Sequence, residues 1–204
     1  MDHRLARPDE LDAVGDLIAR SFATEPFMTW VAAGDPARLR HFARLAVEHV
    51  ADDVLVAGDL GAAALLVRPG GLDTGIAEQL RMLPGLLRSS GVRRLPAVLR
   101  GLLHLERAHP AGPHATLIAL GVEPARQGAG LGGALLAAVE RHVGAAPIYL
   151  ETGSEATRDG CRRRGYDLRA ELQLPAGGPR MWTLVSCPQA NARAAPLAHA
   201  AASR

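Results

Sequence analysis

Residues 116–140 constrain the fold of this chain more than any other part of its sequence. An apolar run at residues 115–122 predicts a buried strand, and a polar elbow at residues 123–127 follows it. Four of the next six residues are glycine, and a helix rich in Ala and Leu begins at once. Glycines let backbone N–H groups approach a ligand closely, and the positive end of the new helix points the same way. The segment therefore predicts a loop that binds an anion, most simply the phosphates of a nucleotide-like cofactor.

One class of protein with such a loop is the dinucleotide-binding enzymes. Gly128, Gly130 and Gly133 satisfy their G-x-G-x-x-G pattern, and Glu151 ends the next apolar run, near where a ribose-binding acid would stand. In that fold, however, the strand runs almost directly into the first glycine, whereas here Pro124 and the rest of the elbow intervene. No repeating series of strands and helices surrounds the segment either. A dinucleotide-binding enzyme is therefore the less favoured alternative.

The segment more closely resembles the GNAT superfamily of acetyl-CoA-dependent N-acyltransferases. Their central signature is Q/R-x-x-G-x-G/A after a strand that ends in Val-x-Pro, and this chain reads VEP at residues 122–124 and QGAGLG at residues 127–132. A second signature, L-E-T-x-x-x-x-N-x-x-x-Y-x-x-x-G-F, is matched in part by LETGSEATRDGCRRRGY at residues 150–166. Residues 173–184 resemble the last hairpin of puromycin N-acetyltransferase-like members, and residues 6–30 resemble their opening helix and loop.

The resemblance implies an α/β fold of layered α+β type. Its central sheet would be mixed and mostly antiparallel, splayed at the acetyl-CoA site, with helices on both faces. It also implies that acetyl-CoA is the cosubstrate, without a metal. The implied acetyl-CoA-binding residues lie on the strand, in the loop and after the next strand: Leu120, Gly121, Val122, Gln127, Gly128, Ala129, Gly130, Leu131, Gly132, Gly133, Thr152 and Thr157. The backbone N–H of Val122 is the candidate for polarising the thioester carbonyl.

The residue that would protonate the leaving thiolate differs from the one usual in the family. The position that usually holds Tyr is Cys161. Its thiol is a weaker donor, although an ordinary thiol pKa of about 8.5 suits the task. Three alternatives follow. Cys161 is the acid, or it is a small core residue and another group donates the proton, or the protein binds acyl-CoA without transferring the acyl group efficiently.

The general base is equally open. Some relatives place His or Glu on the strand at the positions that Thr116 and Ile118 occupy here, and neither side chain takes a proton. His114 is the nearest titratable group and would act through a water molecule, unless it is only a solvated histidine at a strand end. Glu25 lies in a segment that borders the acceptor cleft in relatives. It would hold the amine, act as the base, or simply be a surface residue.

The composition bounds the partners and the location. A length of 204 residues favours one domain, predicted at residues 1–186 and followed by an Ala-rich tail at residues 187–204 that we expect to be flexible. The net charge is only +2 and the charged residues of both signs are interspersed, which argues against a nucleic acid or a membrane as partner. No apolar run approaches the roughly 20 residues that span a bilayer, and the polar N-terminal segment lacks the apolar core of a signal peptide. We therefore expect a cytoplasmic monomer or homodimer that acts on a small-molecule amine such as an antibiotic or a metabolite.

The remaining chain alternates between strand and helix patterns. The predicted strands, besides residues 115–122, are residues 2–7, 54–57, 62–67, 147–152, 166–174 and 180–185. The predicted helices begin at residues 8 and 35 or occupy residues 130–143 and 155–164, and a helical region at residues 72–109 is expected to break at Pro84 and Pro96. That region would either cover the acceptor side of the cleft or only pack across the sheet. The second helix is expected to bury a stripe that includes Phe42 and His49.

Overall fold

The computed structural model describes residues 2–71 and 76–186. The strands are β1 (His3–Leu5), β2 (Asp53–Ala57), β3 (Ala62–Val67), β4 (Ala115–Val122), β5 (Ile148–Thr152), β6 (Tyr166–Gln173) and β7 (Arg180–Ser186). The helices are α1 (Leu11–Ser21), α2 (Pro26–Ala32), α3 (Pro36–His49), α4 (Ile76–Ser90), α5 (Leu95–Glu106), α6 (Leu131–Val143) and α7 (Glu155–Arg163). The Ala-rich segment at residues 187–204, with Cys187, lies outside the described residues.

The strands form one seven-stranded sheet in the order β1-β2-β3-β4-β5-β7-β6. All neighbouring strands are antiparallel except β4 and β5, which are parallel. A dinucleotide-binding fold needs a mostly parallel, doubly wound sheet. That alternative interpretation of the glycine loop is therefore wrong, and the predicted mixed, mostly antiparallel sheet is confirmed.

Two apolar clusters fill the space between the sheet and the helices on its two faces. One cluster packs α6 and α7 against the sheet and includes Leu135, Val139 and Leu150. The other packs α1 and α3 against the opposite face and includes Leu17, Ile18 and Leu65. A smaller group joins Leu105 of α5 to Leu174 and Met181 at the β6–β7 hairpin. The predicted amphipathic helices thus cover both faces of the sheet.

The helix ends follow local rules that the sequence carries. Asp35 caps α3 by accepting hydrogen bonds from the N–H groups of Ala37 and Arg38, and Pro36 fits the first turn because its missing N–H would have no partner there. Ser154 caps α7 in the same way, and Gly165 follows that helix with a φ of 92°.

Three sequence predictions about the helices are wrong. The helix α4 continues through Pro84 instead of breaking there, and the interruption comes at Gly91, whose φ is 77°. Residues 26–32, predicted as part of a loop, form α2 because Glu25 caps them and Pro26 opens their first turn. His49 is exposed at the end of α3, whereas Ala43 takes the fully buried place in the helical stripe.

Candidate active site

The glycine loop joins β4 to α6 through a short 3-10 turn at Pro124–Arg126. Gly128 and Gly130 both have a φ of 80°, in the left-handed region that a side chain disfavours. Gly130 is also the N-cap residue of α6, and no side chain caps this helix. The first helical N–H groups are therefore left to an external partner.

The N–H groups from Gly128 to Gly133 form a row that ends in the first turn of α6. Within residues 2–71 and 76–186, no backbone or side-chain oxygen accepts a hydrogen bond from any of them. Residues 128–130 are exposed, and a Cβ atom built on Gly128 or Gly130 would meet no atom within 4 Å. Free amides at the positive end of a helix, open to solvent, have the geometry that binds an anion such as a pyrophosphate in other proteins.

A gap between β4 and β5 adjoins this loop. The two strands pair only from Ala115 to Leu117 on the side of β4, although β4 continues to Val122. At the same point the register of β3 against β4 shifts, which leaves Ile118 as an extra residue on β4. Such a bulge bends a strand, so it accounts for the separation of β4 from β5. The splayed sheet that the resemblance implied is thus present.

The bulge also decides which backbone groups face the gap. The N–H of Ala115 donates to Pro147 on the β5 side, whereas the N–H of Glu123 donates to Gly61 on the β3 side. Backbone direction alternates along a strand, so these two odd-numbered residues would point alike without the extra residue. Beyond the bulge, the N–H groups of Leu120 and Val122 therefore face the gap.

Gly121 has a different place from its two neighbours. Its backbone groups face β3, and a Cβ on it would lie 2.3 Å from Ser21 Oγ and 2.9 Å from Ile18 Cδ1. The absent side chain lets α1 pack closely against β4, so its geometry indicates a packing role. A Cβ on Gly132 would lie 3.5 Å from Val122 Cγ2 and 3.6 Å from Leu120 Cδ2, so the glycine loop and the gap adjoin each other.

Two further side chains frame the loop. Gln127 donates from Nε2 to the Val122 carbonyl at 3.2 Å, which ties the elbow to the end of β4. Arg164 Nη1 lies 3.6 Å from the position of a Cβ on Gly133, and Arg164 Nη2 contacts buried Glu140 at 3.3 Å. The Arg164 guanidinium is thus held beside the amides that would bind an anion. Sequence reasoning missed it, because the arginine follows α7 and is brought to α6 only by packing.

Cys161 lies within the apolar cluster under α6 and is 6% exposed. Burial raises the pKa of its thiol to about 11. A thiol with so high a pKa is a weak acid, so the surroundings of Cys161 favour the packing alternative over the role of proton donor.

Glu25 joins two elements instead of lying free on the surface. Its Oε2 accepts a hydrogen bond from the N–H of Met28 at 2.8 Å, which caps α2. Its Oε1 accepts one from the N–H of Gly153 at 3.1 Å, directly after β5. Burial nevertheless raises the pKa of this carboxyl above its ordinary value, against the lowering effect of the N–H donors. The surface interpretation of Glu25 is therefore wrong.

A cluster of four polar side chains lies at the parallel end of β4 and β5. Tyr149 donates from its hydroxyl to Glu151 Oε1 at 2.7 Å, and His109 Nε2 lies 3.6 Å from the same oxygen. His114 Nε2 lies 3.4 Å from His109 Nδ1, and its Nδ1 contacts the Gly112 carbonyl at 2.9 Å. His114 is thus joined to a carboxylate through His109.

Sequence reasoning did not assemble this cluster. Tyr149 and Glu151 share one face of β5 because side chains alternate along a strand, and that alternation was visible in the sequence. The two histidines come from the connection between α5 and β4, and only the tertiary structure brings them to β5. The connection that follows α5 thus packs against this face of β5.

The two threonines of the predicted site lie near the start of α7. Thr152 is buried, and its hydroxyl accepts a hydrogen bond from the N–H of Ser154 at 3.1 Å. Thr157 is exposed in the first turn of α7, where its N–H donates to Ser154 Oγ. Both residues lie beyond the part of β5 that pairs with β4.

The described residues contain neither a candidate metal site nor a membrane-spanning helix. No group of three or more His, Cys, Asp or Glu side chains there is arranged to hold a metal ion. No helix in that part of the chain combines the length and apolar character needed to cross a membrane. A cavity of about 310 Å³ lies between β1 and the end of α6, lined by Arg4, Leu55 and His142, away from the glycine loop.

Comparison with solved structures identifies proteins of the same fold, although no protein-family model matches the sequence. A Corynebacterium glutamicum protein described as histone acetyltransferase HPA2 and related acetyltransferase aligns with a TM-score of 0.67 and 22% identity, over 90% of this chain and 94% of that one. An agmatine N-acetyltransferase aligns with a TM-score of 0.61 and 20% identity, over 90% of this chain and 97% of that one. The polyamine N-acetyltransferase of Drosophila melanogaster aligns with a TM-score of 0.59 and 19% identity, over 90% of this chain and 99% of that one. The chain therefore has the GNAT fold that these N-acetyltransferases share.

Proposed function

We propose that this protein is an acetyl-CoA-dependent N-acetyltransferase that moves an acetyl group to a primary amine of a small molecule. The observation that carries the proposal is the row of free N–H groups at residues 128–133, which adjoins the gap between β4 and β5. An anion site continuous with an opened strand pair suits a ligand that has a pyrophosphate at one end and an extended amide-containing arm at the other.

The described residues offer partners for the pyrophosphate and for the arm of such a ligand. The loop amides and the Arg164 guanidinium would hold the pyrophosphate. The gap-facing backbone of Leu120 and Val122 would pair with the arm as a strand does, and Gln127 steadies the Val122 carbonyl. When bound, acetyl-CoA supplies an activated acetyl group as a thioester.

The reaction that suits this site is direct attack by the amine in a ternary complex. The N–H of Val122 would donate to the thioester oxygen as negative charge develops there, an interaction that contributes about 3 kcal/mol in oxyanion holes. In the structure Cys161 is buried and has a raised pKa, so a covalent thiol intermediate has no support.

An amine acceptor is supported by the charge near the gap. Glu151 lies near the end of β5, and Glu25 contacts Gly153, directly after that strand. Burial raises the pKa of both carboxyl groups. Carboxyl groups in such a place attract a cationic amine and accept its proton. Two proteins of the same fold are described as acetyltransferases of agmatine and polyamines, which are small amines. The puromycin N-acetyltransferase-like subtype stays a prediction from the sequence.

A second candidate function is a protein that binds acyl-CoA and transfers the acyl group poorly. The buried thiol at the position of the usual tyrosine favours it, because such a thiol is a weak proton donor for the departing thiolate. Binding is common to both candidates, and only turnover separates them.

The test is thiol release from acetyl-CoA with a panel of small amines, together with calorimetric binding of CoA. If the protein transfers acetyl groups, at least one amine should give thiol release. Mass spectrometry should then detect an equal amount of acetylated amine. Tight CoA binding without release from any amine would support the second candidate. Absence of CoA binding would contradict both.

A further inference from the structure

We propose that Glu151, His109 and His114 form a proton relay that takes the proton lost by the attacking amine and delivers it to the surface beside Gly112. The inference rests on the proposed acetyl transfer and assigns residues that the glycine-loop signature does not include. Glu151 is the proposed proton acceptor, and the two histidines carry the proton onward.

The placement of Glu151 is the first support. Leu117 and Leu150 are the last paired residues of β4 and β5, so Glu151 is the first residue of β5 where the gap opens. Its side chain is 21% exposed, which leaves it within reach of a ligand in the gap. The related positions on β4 are Thr116 and Ile118, which cannot accept a proton. The neighbouring strand thus supplies the titratable group that β4 lacks.

The hydrogen-bond directions are the second support. The Gly112 carbonyl can only accept, so His114 Nδ1 carries a hydrogen and its Nε2, in the neutral ring, is an acceptor. His114 Nε2 therefore accepts from His109 Nδ1, which leaves His109 Nε2 with a lone pair in the neutral ring. That lone pair faces Glu151 Oε1 at 3.6 Å, and Tyr149 already donates to this oxygen. Contact between a nitrogen lone pair and a carboxylate is unfavourable unless one proton lies between them.

The charges around the pair agree with one shared proton. Burial raises the pKa of Glu151 to about 7 and lowers the pKa of His109, so each group is biased toward its neutral form. Nearby Glu106 raises both pKa values, and His114 lowers that of His109. Tyr149 has a strongly raised pKa and remains a hydrogen-bond donor.

The steps balance as proton transfers alone. The proton that Glu151 and His109 share moves onto His109 Nε2, His109 releases the proton on Nδ1 to His114 Nε2, and His114 loses its own Nδ1 proton to water. Glu151 is then a carboxylate and takes the proton of the amine, whose nitrogen forms the bond to the acetyl carbon while the C–S bond breaks and the thiolate leaves. Reversing the tautomers restores the starting state, and no oxidant or further reactant takes part.

Kinetic measurements test the relay in the intact protein. Glu151→Gln keeps an acceptor for the Tyr149 hydroxyl but cannot take a proton, so we expect kcat to fall about 100-fold, with loss of the limb that rises with pH near 7. His109→Asn should lower kcat less, with little change in the KM for acetyl-CoA, and added imidazole should restore part of the rate. His49→Asn, on the exposed end of α3, is the matched control and should behave as wild type. A rate for His109→Asn that is unchanged, or that imidazole does not raise, would overturn the relay.

A second measurement needs no turnover and separates the relay from the proposed function. Nitrogen-15 spectra of the histidine rings in the protein alone should show a hydrogen on His109 Nδ1 and on His114 Nδ1. Glu151→Gln should raise the fraction of neutral His109 at pH 6 and alter its titration, whereas His49→Asn should not. The opposite His109 tautomer, or a titration that ignores Glu151, would refute the relay. Failure to acetylate any amine with these couplings intact would refute only the proposed function.

Discussion

Single residues decide the geometry of the proposed anion site, because it is made of backbone and needs side chains to be absent. At Gly128 and Gly130 the backbone turns into the left-handed region twice within three residues. These turns direct the loop amides outward, and no described side chain occupies the space in front of Gly128 and Gly130. The glycines thus act through the conformation that they allow and the space that they leave.

Gly130→Val should raise the Kd for CoA by about 10³- to 10⁴-fold. A non-glycine residue in the left-handed region costs about 1–2 kcal/mol, and losing two hydrogen bonds to a charged phosphate costs about 3–4 kcal/mol more. Calorimetry with CoA measures the change. Gly177→Val is the matched control, because Gly177 also has a positive φ and open surroundings but lies in the β6–β7 hairpin. Equal loss of affinity in both variants would mean that the effect is one of stability.

Cys161→Ala should lower the free energy of unfolding by about 1 kcal/mol and leave kcat within about twofold. The thiol packs in the cluster under α6, and its raised pKa makes it a poor donor at neutral pH. Chemical unfolding and steady-state kinetics measure the two effects. A large fall in kcat with unchanged binding of acetyl-CoA would restore Cys161 as the acid.

At the scale of elements, the site depends on contacts between segments that are distant in sequence. Glu25 connects the start of α2 with the turn after β5, and His109 connects the end of α5 with the face of β5. The His109 contact lies on the face of β5 opposite α6, because Ile148 and Leu150 face α6 and side chains alternate along the strand. The proposed acceptor side thus depends on the segments that precede β4.

Substitutions of Glu25 separate its two contacts. Glu25→Asp should keep the cap on α2 but be too short to reach Gly153, so the free energy of unfolding should fall less than in Glu25→Ala, which loses about 1–2 kcal/mol with the cap. Thermal unfolding measures these changes, and amine KM values report the acceptor side. If Glu25→Asp is as unstable as Glu25→Ala, the bond to Gly153 and not the cap carries the stability.

At the scale of the whole molecule, buried carboxyl groups give opposite dependences on pH. The pKa of Asp53 is lowered, mainly by its hydrogen bonds with Arg68, so its stabilisation is present above about pH 4 and is lost as the pH falls below its folded pKa. The pKa of Glu151 is raised to about 7, so its contribution is complete below about pH 4.5 and is lost as the pH rises through 7. The lowered pKa of His109 acts in the opposite sense just below pH 6.5.

The difference in stability between Glu151→Gln and the wild type should therefore change with pH. Relative to the wild type, the variant should gain up to about 3 kcal/mol in free energy of unfolding between pH 4.5 and pH 8, since one pKa unit corresponds to about 1.4 kcal/mol. Urea unfolding at several pH values measures it. A difference that does not vary with pH would contradict the raised pKa.

The sequence by itself determined the strand, the glycine loop and the helix at residues 115–143, with bounds close to those of the structure. Local rules suffice there, because apolar runs, left-handed glycines and helix caps act between neighbours in the chain. Pro84 shows the limit of those rules, since α4 passes through a proline while packed against α3. Only the tertiary structure decided that His109 and His114 meet Glu151, that Glu25 reaches Gly153 and that Arg164 lies beside Gly133. These groups are separated along the chain, and packing between the sheet and its helices brings them together.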